Sequence, residues 1–405
     1  MEYFDTLETR SEDQRLGDLA INLPRQVALA QSLKGYGAGY ADINADKIVS
    51  PADLASLPVL RKSDLSGAQA TSAPFGNYTP FAPSVYSHVF QSPGPIYEPG
   101  MTSPDWWRMG RFLYAAGLRH DDIVQNCFSY HLTPAGMMFE SGARTIGACV
   151  LPAGVGQTEL QARAAHDIGV TAYAGTPDFL NIILDKADEM GLDLKINKAV
   201  VGGGALFPSL RQSYADRGIQ CVQCYATADL GNIAYESTAM EGMIVDEGVI
   251  VEIVTPGTGI PVEPGEVGEV VVTSLNSDYP LIRFATGDLS AQMLGQSPCG
   301  RTNMRIKGWM GRADQTAKIK GMFVRPEQVA ELVAKTGVDR ARVIANRDGQ
   351  NDTMEVQVEG TNINTAEVET AIMNTLKLRG TVTVHSPGNL PRDGLVIEDK
   401  RNYDT

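Results

Sequence analysis

Cysteine is scarce. Five residues (Cys127, Cys149, Cys221, Cys224 and Cys299) in a chain of 405 are too few and too scattered for a disulfide framework and suit a reducing compartment. Basic charge is also in deficit: 34 Lys and Arg against 48 Asp and Glu give a net charge of −14. That excludes the clustered cations a phosphate-tracking nucleic-acid surface needs. No apolar run reaches the ~18 residues of a membrane span. The acidic start, MEYFDTLETRSEDQR, has neither the basic flank nor the apolar stretch of a secretory leader. These absences lead to the expectation of a cytoplasmic protein with no nucleic-acid or membrane partner, and with a homodimer as the commonest default.

What is present is the balance of an ordinary globular protein, 43% hydrophobic and 20% charged, long enough for two or three domains at roughly 150 residues each. Residues 71–105 are proline-rich and read as ordered loop. From 106 to 235 the text alternates helix and strand: helix DWWRMGRFLYAAGL, apolar DIVQNCF, helix AGMMFESGARTIG, strand ACVLP, helix TELQARAAHDIG, strand VTAYAG, helix PDFLNIILDKADEMG and strand KAVV. Such alternation builds a mostly parallel sheet covered by helices. Residues 243–290 read as short strands with turns, a small antiparallel, barrel-like sheet. After about 313 a compact α+β unit begins. The fold class expected is therefore α/β and α+β, a large domain over 1–312 followed by a small one over 313–405.

Several segments offer chemistry beside a plainer reading. Gly202, Gly203 and Gly204 follow an apolar strand; they let a backbone approach a flat ligand, or simply make a tight turn. In CVQCYATADLGN, Tyr225 can stack on a base and Asp229 can hold a hard cation, or the pair can be a packed ring and a capping acid. Cys221 and Cys224 sit in an expected strand, where i and i+3 face opposite sides, which favours structural thiols over a metal pair. His131, in FSYHLTPAG, lies where a strand meets a loop. In RFATGDLS, Asp288 on a tight turn can accept both hydroxyls of a ribose. GRADQTAKIKG carries Arg312, Lys318 and Lys320 and is either a solvated linker or a hinge whose cations meet an anionic ligand.

Taken in order, these segments resemble the adenylate-forming acyl-CoA synthetase superfamily, and most closely its phenylacetate–CoA ligase branch. Gly203-Gly204 matches the glycine-rich adenine-side strand end, and Tyr225-Ala226-Thr227-Ala228-Asp229 matches the Tyr-Gly-x-Thr/Ser-Glu segment. GEVGEVVVTSLNSDYPLIRFATGDLS and CGRTNMRIKGWMGRADQTAKIKGMFVRPEQVAELV match its ribose and hinge blocks, and AGVGQTELQ and AYAGTPDFL its earlier turns. The likeness runs from about 80 to 395. It implies ATP and AMP, Mg2+ and coenzyme A as cofactors, with a small, possibly aromatic, carboxylic acid and CoA or a carrier-bound thiol as partners. It also implies a mobile C-terminal lid. By the same resemblance Asp229 is the magnesium acid, Asp288 holds the ribose, and Arg312 with Lys318 and Lys320 meets nucleotide oxygens. Asp314 is the hinge; Ser92, Gly94, Tyr225, Ala226 and Gly321 join the nucleotide site; and Tyr130, His131 and Tyr173 stand near an acyl pocket.

The chain departs from this pattern at the phosphates. The loop expected to read Ser-Ser-Gly-Thr-Thr-Gly-Lys-Pro is Ser92-Pro93-Gly94-Pro95-Ile96-Tyr97-Glu98-Pro99. Proline has no N–H to donate, and an inward Glu98 facing a phosphate ~4 Å away would oppose it by about 4 kcal/mol at an effective dielectric of ~20. Leu395 stands where the C-terminal lysine is expected, with Lys400 ~16 Å further along an extended chain. Ser237, Ile244 and Ser297 replace three of the zinc ligands of some branch members, leaving Cys299, so no zinc is expected. Three readings follow: an AMP-forming ligase, an ATP-independent thioester transferase or hydrolase, and a non-catalytic binding protein.

Overall fold

The computed structural model describes residues 2–313, 315–320, 322–348 and 351–401. The chain forms two compact units. The first takes Met1–Val251, Val272–Phe284 and Met293–Gly308, the second Glu252–Val271, Ala285–Gln292 and Trp309–Thr405.

In the first unit the expected alternation produces a parallel sheet in the order Cys149–Pro152, Ile123–Asn126, Ala172–Gly175, Lys198–Val201, Gln220–Thr227. It continues through the antiparallel strands Gly231–Tyr235, Met243–Val245 and Arg305–Ile306. The period of two assigns the strand residues to two cores. Val124, Ala174, Val200, Val222 and Cys224 pack on one face, and Tyr173, Ala199, Val201 and Cys221 on the other. Cys221 and Cys224 are thus buried structural thiols on opposite sides of one strand.

Helices cover both faces. Pro177–Glu189 starts with proline at its first turn, where no N–H is needed, and buries Leu180, Ile183, Leu184 and Ala187, an i, i+3, i+4, i+7 stripe. The helix read in DWWRMGRFLYAAGL shrinks to Gly110–Ala115. Asp105 and Arg108 adopt φ of 50° and 62°, which cannot continue a helix.

Because the strand starting at Ile123 lies between those starting at Cys149 and Ala172, the chain reverses direction across the sheet beside it. In open α/β sheets the crevice at the carboxyl ends beside such a reversal is where ligands bind. Tyr130, Gly203, Gly204, Tyr225 and Asp229 all come from the carboxyl-end connections or last residues of these strands.

The second unit is α+β. Strands Thr381–His385, Asn351–Glu359, Arg340–Asp348 and Ile397–Asp399 form one sheet, its central pair antiparallel and its outer pairs parallel. Helices Pro326–Thr336 and Thr365–Leu376 pack Val329, Leu332, Val368, Ile372 and Leu376 against Val343, Val356 and Val358. Ile372 is 1% exposed, so Ile372→Ala is expected to cost about 3 kcal/mol in urea unfolding of this unit. Met373→Ala, one residue along on the outer face, should cost no more than ~0.5 kcal/mol. No helix among the described residues is long and apolar enough to cross a membrane.

Candidate functional site

Within the proline-rich stretch the structure places a β-hairpin, His88–Ser92 paired with Ile96–Gly100, turning through Pro93, Gly94 and Pro95. The prolines are tolerated because two sit in the turn and Pro99 near a strand end. The register pairs Phe90 with Glu98 and Ser92 with Ile96, so these four residues share the buried face. Glu98 therefore points inward. It is 1% exposed, and the Ser92 hydroxyl donates to its Oε1.

One helix ties this hairpin to the sheet. Lys62–Thr71 follows the short strand Leu60–Arg61. Its Gln69 side chain exchanges two 2.8 Å hydrogen bonds with the Tyr97 backbone. At its start, Lys62 Nζ donates to Asp229 Oδ2 at 3.0 Å. Asp229 lies in the turn between strands Gln220–Thr227 and Gly231–Tyr235 and is 5% exposed. Its Oδ1 and Glu98 Oε2 are buried without a hydrogen-bond partner, as is the hydroxyl of Tyr279. Burial and then the Asp229 charge push the Glu98 carboxyl up to about 8, with the Ser92 hydrogen bond and Lys62 opposing. Burial, then Asp229 and Glu98, likewise hold the Tyr279 phenol well above its ordinary range.

The two segments expected beside a nucleotide both end strands of this sheet. Gly203 and Gly204 are exposed at the end of strand Lys198–Val201, and Gly203, at φ 70°, takes a conformation that favours glycine. Tyr225 and Ala226 are half-buried at a β-bulge near the end of strand Gln220–Thr227.

A cleft of about 390 Å³ opens beside Tyr130, with His88, Met101, Trp107, Met137 and Arg144 among its walls. Trp107 Nε1 and His88 Nδ1 are buried without a partner. Tyr130 Oη accepts from Asn126 Nδ2 at 2.8 Å. The pocket reading is corrected at two positions. His131 is exposed on the following loop and is not among the cleft walls. Tyr173 is fully buried in the core with its hydroxyl donating to Thr176 O at 2.9 Å. In a strand buried on both faces, an aromatic residue carries no sign of which side holds a ligand.

In the second unit Asp288 is 9% exposed. Its Oδ1 accepts from Arg312 at 2.8 Å and from Trp309 Nε1 at 3.1 Å. Backbone bonds from Leu289 N to Gly311 O and from Ala313 N to Gly287 O fix the two segments. Gly287, at φ 74°, leaves room that a Cβ would take from the Arg312 guanidinium, 2.8 Å away. Lys320 is exposed, and its backbone N–H reaches Asp352 Oδ2. The Lys318 backbone lies in strand Ala317–Ile319; its side chain, Asp314 and Gly321 lie outside the described residues. Leu395 is half-buried in a segment clamped by Gln315, which donates to Gly394 O at 2.7 Å and accepts from Val396 N and Ile397 N. Lys400 pairs with Glu398 at 3.5 Å.

Cys299 lies 3.0 Å from Ser297 Oγ. Burial pushes its thiol up, but hydrogen bonds involving Ser237, Ser297 and Arg301 outweigh burial and hold it below its ordinary value. Among the described residues no group of three or more His, Cys, Asp and Glu side chains forms a metal cage. A cation at Asp229 would rely on fewer carboxylates and on water or ligand oxygens.

Sequence reasoning missed Lys62, Tyr279 and Trp309.

The AMP-binding enzyme family model matches residues 107–276. The phenylacetate–coenzyme A ligase of Pseudomonas putida is 30% identical over 348 residues, covering 80% of this chain and 76% of that one. The ligase of the same name from Aromatoleum evansii is 29% identical, covering 78% and 74%. A solved 2-hydroxyisobutyryl-CoA ligase, in complex with 2-HIB-AMP and CoA, superposes with a TM-score of 0.71 at 23% identity, covering 98% of this chain and 92% of that one, and shares the fold. At 30% identity over four-fifths of its length, the chain belongs to the phenylacetate–coenzyme A ligase family.

Proposed function

We propose that the chain is an AMP-forming ligase that joins a small carboxylic acid to coenzyme A or a carrier-bound thiol through an acyl-adenylate, in a reducing, cytoplasmic setting. The observation that carries this is the Lys62–Asp229 ion pair beside the inward hairpin at the carboxyl ends of the sheet. Attack of a carboxylate on the α-phosphorus of ATP gathers negative charge, and fixed cations and donors at that point lower the barrier. Lys62 supplies one such cation. The orphaned Asp229 Oδ1 fits a hard divalent ion; Mg2+ held there would neutralise phosphate charge. The cleft beside Tyr130 suits an acid with an apolar body, from Met101, Met137 and Trp107. Asp288, squared by Arg312 and Trp309, is assigned to the ribose hydroxyls, and Arg312 to nucleotide oxygens.

Pyrophosphate exchange over a panel of aryl and acyl acids tests this reading: exchange with at least one acid is expected, and none with any acid, in folded protein, rejects it. In the same assay Asp288→Ala should raise the KM for ATP about tenfold to hundredfold, the worth of one or two charged hydrogen bonds. A comparable KM would remove Asp288 from the ribose role. A second reading, ATP-independent thioester transfer or hydrolysis, is favoured by the inward Glu98 and by the uncharged Leu395. Acyl-CoA turnover without ATP would establish it.

A further inference from the structure

Of the three tryptophans in the chain, Trp106 and Trp107 pack into the core of the first unit. Trp309 does not: its ring is 56% exposed, so burial of apolar surface does little to explain its position. What it makes is a directed contact. Its Nε1–H donates to Asp288 Oδ1 at 3.1 Å, the same oxygen that accepts from Arg312 at 2.8 Å. The backbone fixes that contact closely. Asp288 and Arg312 form an antiparallel bridge, and beside it Met310 N donates to Leu289 O at 2.9 Å and Leu289 N to Gly311 O at 2.8 Å. All of these residues belong to the second unit. The two donors are not equivalent. An aspartate carboxyl turns about its last side-chain bond with a broad, two-fold preference, so its plane is set by its partners rather than by its own rotamer. Arg312 reaches it along a flexible side chain that is 55% exposed, and an ion pair of that kind is screened and costly to order. An indole has only two side-chain torsions to fix, and here its backbone is pinned beside the strand that carries the carboxylate.

We propose that Trp309 is a positioning residue for the nucleotide: its indole N–H sets the plane of the Asp288 carboxylate, and through that plane the preference for ribose over 2′-deoxyribose. A carboxylate meets two neighbouring hydroxyls at once only when it is held at one angle; free to turn, it keeps a grip on one and loses the benefit of the second. The part played by Trp309 rests on the ribose role given to Asp288 in the ligase reading.

The test is a calorimetric titration of the full-length protein with AMP and with 2′-deoxy-AMP, in the absence of any acid or thiol. Trp309→Phe keeps an aromatic ring and removes the donor. It is expected to weaken AMP binding about tenfold, the worth of one hydrogen bond to a charged group, and 2′-deoxy-AMP binding by no more than about threefold, so that the preference for AMP falls. In an Asp288→Ala background the same substitution should change AMP binding by less than about twofold, because residues that act through one another are not additive. A ring that merely supported the fold would cost the same in either background. Circular dichroism confirms that each variant is folded. Equal AMP affinity in wild type and Trp309→Phe, an unchanged preference, an undiminished loss in the Asp288→Ala background, or a wild type that binds no AMP overturns the proposal. Pyrophosphate exchange on the same preparations reports separately: AMP bound through Trp309 and Asp288 with no exchange for any acid refutes the ligase activity and leaves the positioning role standing.

Discussion

Replacing Glu98 with Gln is expected to stabilise the first unit by about 3–4 kcal/mol at pH 9 in the presence of a chelator, and to abolish a pH slope that the wild type shows. The sign follows from the direction of the shift. The carboxyl ionises at about 8 in the folded protein against an ordinary value of 4.5, so the folded state holds a proton that the unfolded chain has released. Its contribution is fully present below about 4.5, falls as the pH rises, and is lost once the pH passes about 8. Each unit of displacement corresponds to ~1.4 kcal/mol, and the figure above is reduced from the full product because solvent relaxes around part of the group. Glutamine keeps an acceptor for the Ser92 hydroxyl and carries no charge to be stranded, so it removes the penalty without opening a cavity. Calorimetric unfolding of both proteins from pH 5 to pH 9 measures it. Parallel curves would mean that the Glu98 carboxyl is not isolated from solvent.

How far the sequence exposed this arrangement depends on the kind of information involved. The parallel sheet was legible because strands buried on both faces read as short apolar runs, and the helices between them carry a 3.6-residue stripe, as in Pro177–Glu189. The strands and helices after about 313 were equally plain, since turns and caps separate them; Gly337, at φ 67°, ends helix Pro326–Thr336. The direction of Glu98 was not legible. It depends on the parity of a hairpin register, and a one-residue slip would send the same side chain to the opposite face. Proline density disguised the hairpin itself. Tyr173 lies within strand Ala172–Gly175 and Tyr130 in the loop after strand Ile123–Asn126, and one is sealed in the core while the other walls a cleft. That difference lies in what packs above them. Lys62 and Asp229 meet across 167 positions of chain, and no local pattern announces such a pair.

Lys62 is accordingly the position where function and structure separate most cleanly. Lys62→Met is expected to lower the rate of pyrophosphate exchange by about a hundredfold to a thousandfold, the usual loss when one preorganised group facing a developing charge is removed. Methionine retains most of the apolar stem, so packing at the start of helix Lys62–Thr71 should survive. The lysine side chain is 39% exposed although its partner is sealed. Solvent screening therefore limits the stability loss to about 1 kcal/mol, well short of what a fully buried pair would forfeit. Lys62→Arg restores the charge with a different donor geometry and should recover part of the rate, which a purely structural lysine would have no reason to show. A Met variant with an unchanged exchange rate and a depressed melting temperature would assign the ion pair to folding alone, and the source of positive charge at the phosphates would then have to be sought among groups other than Lys62.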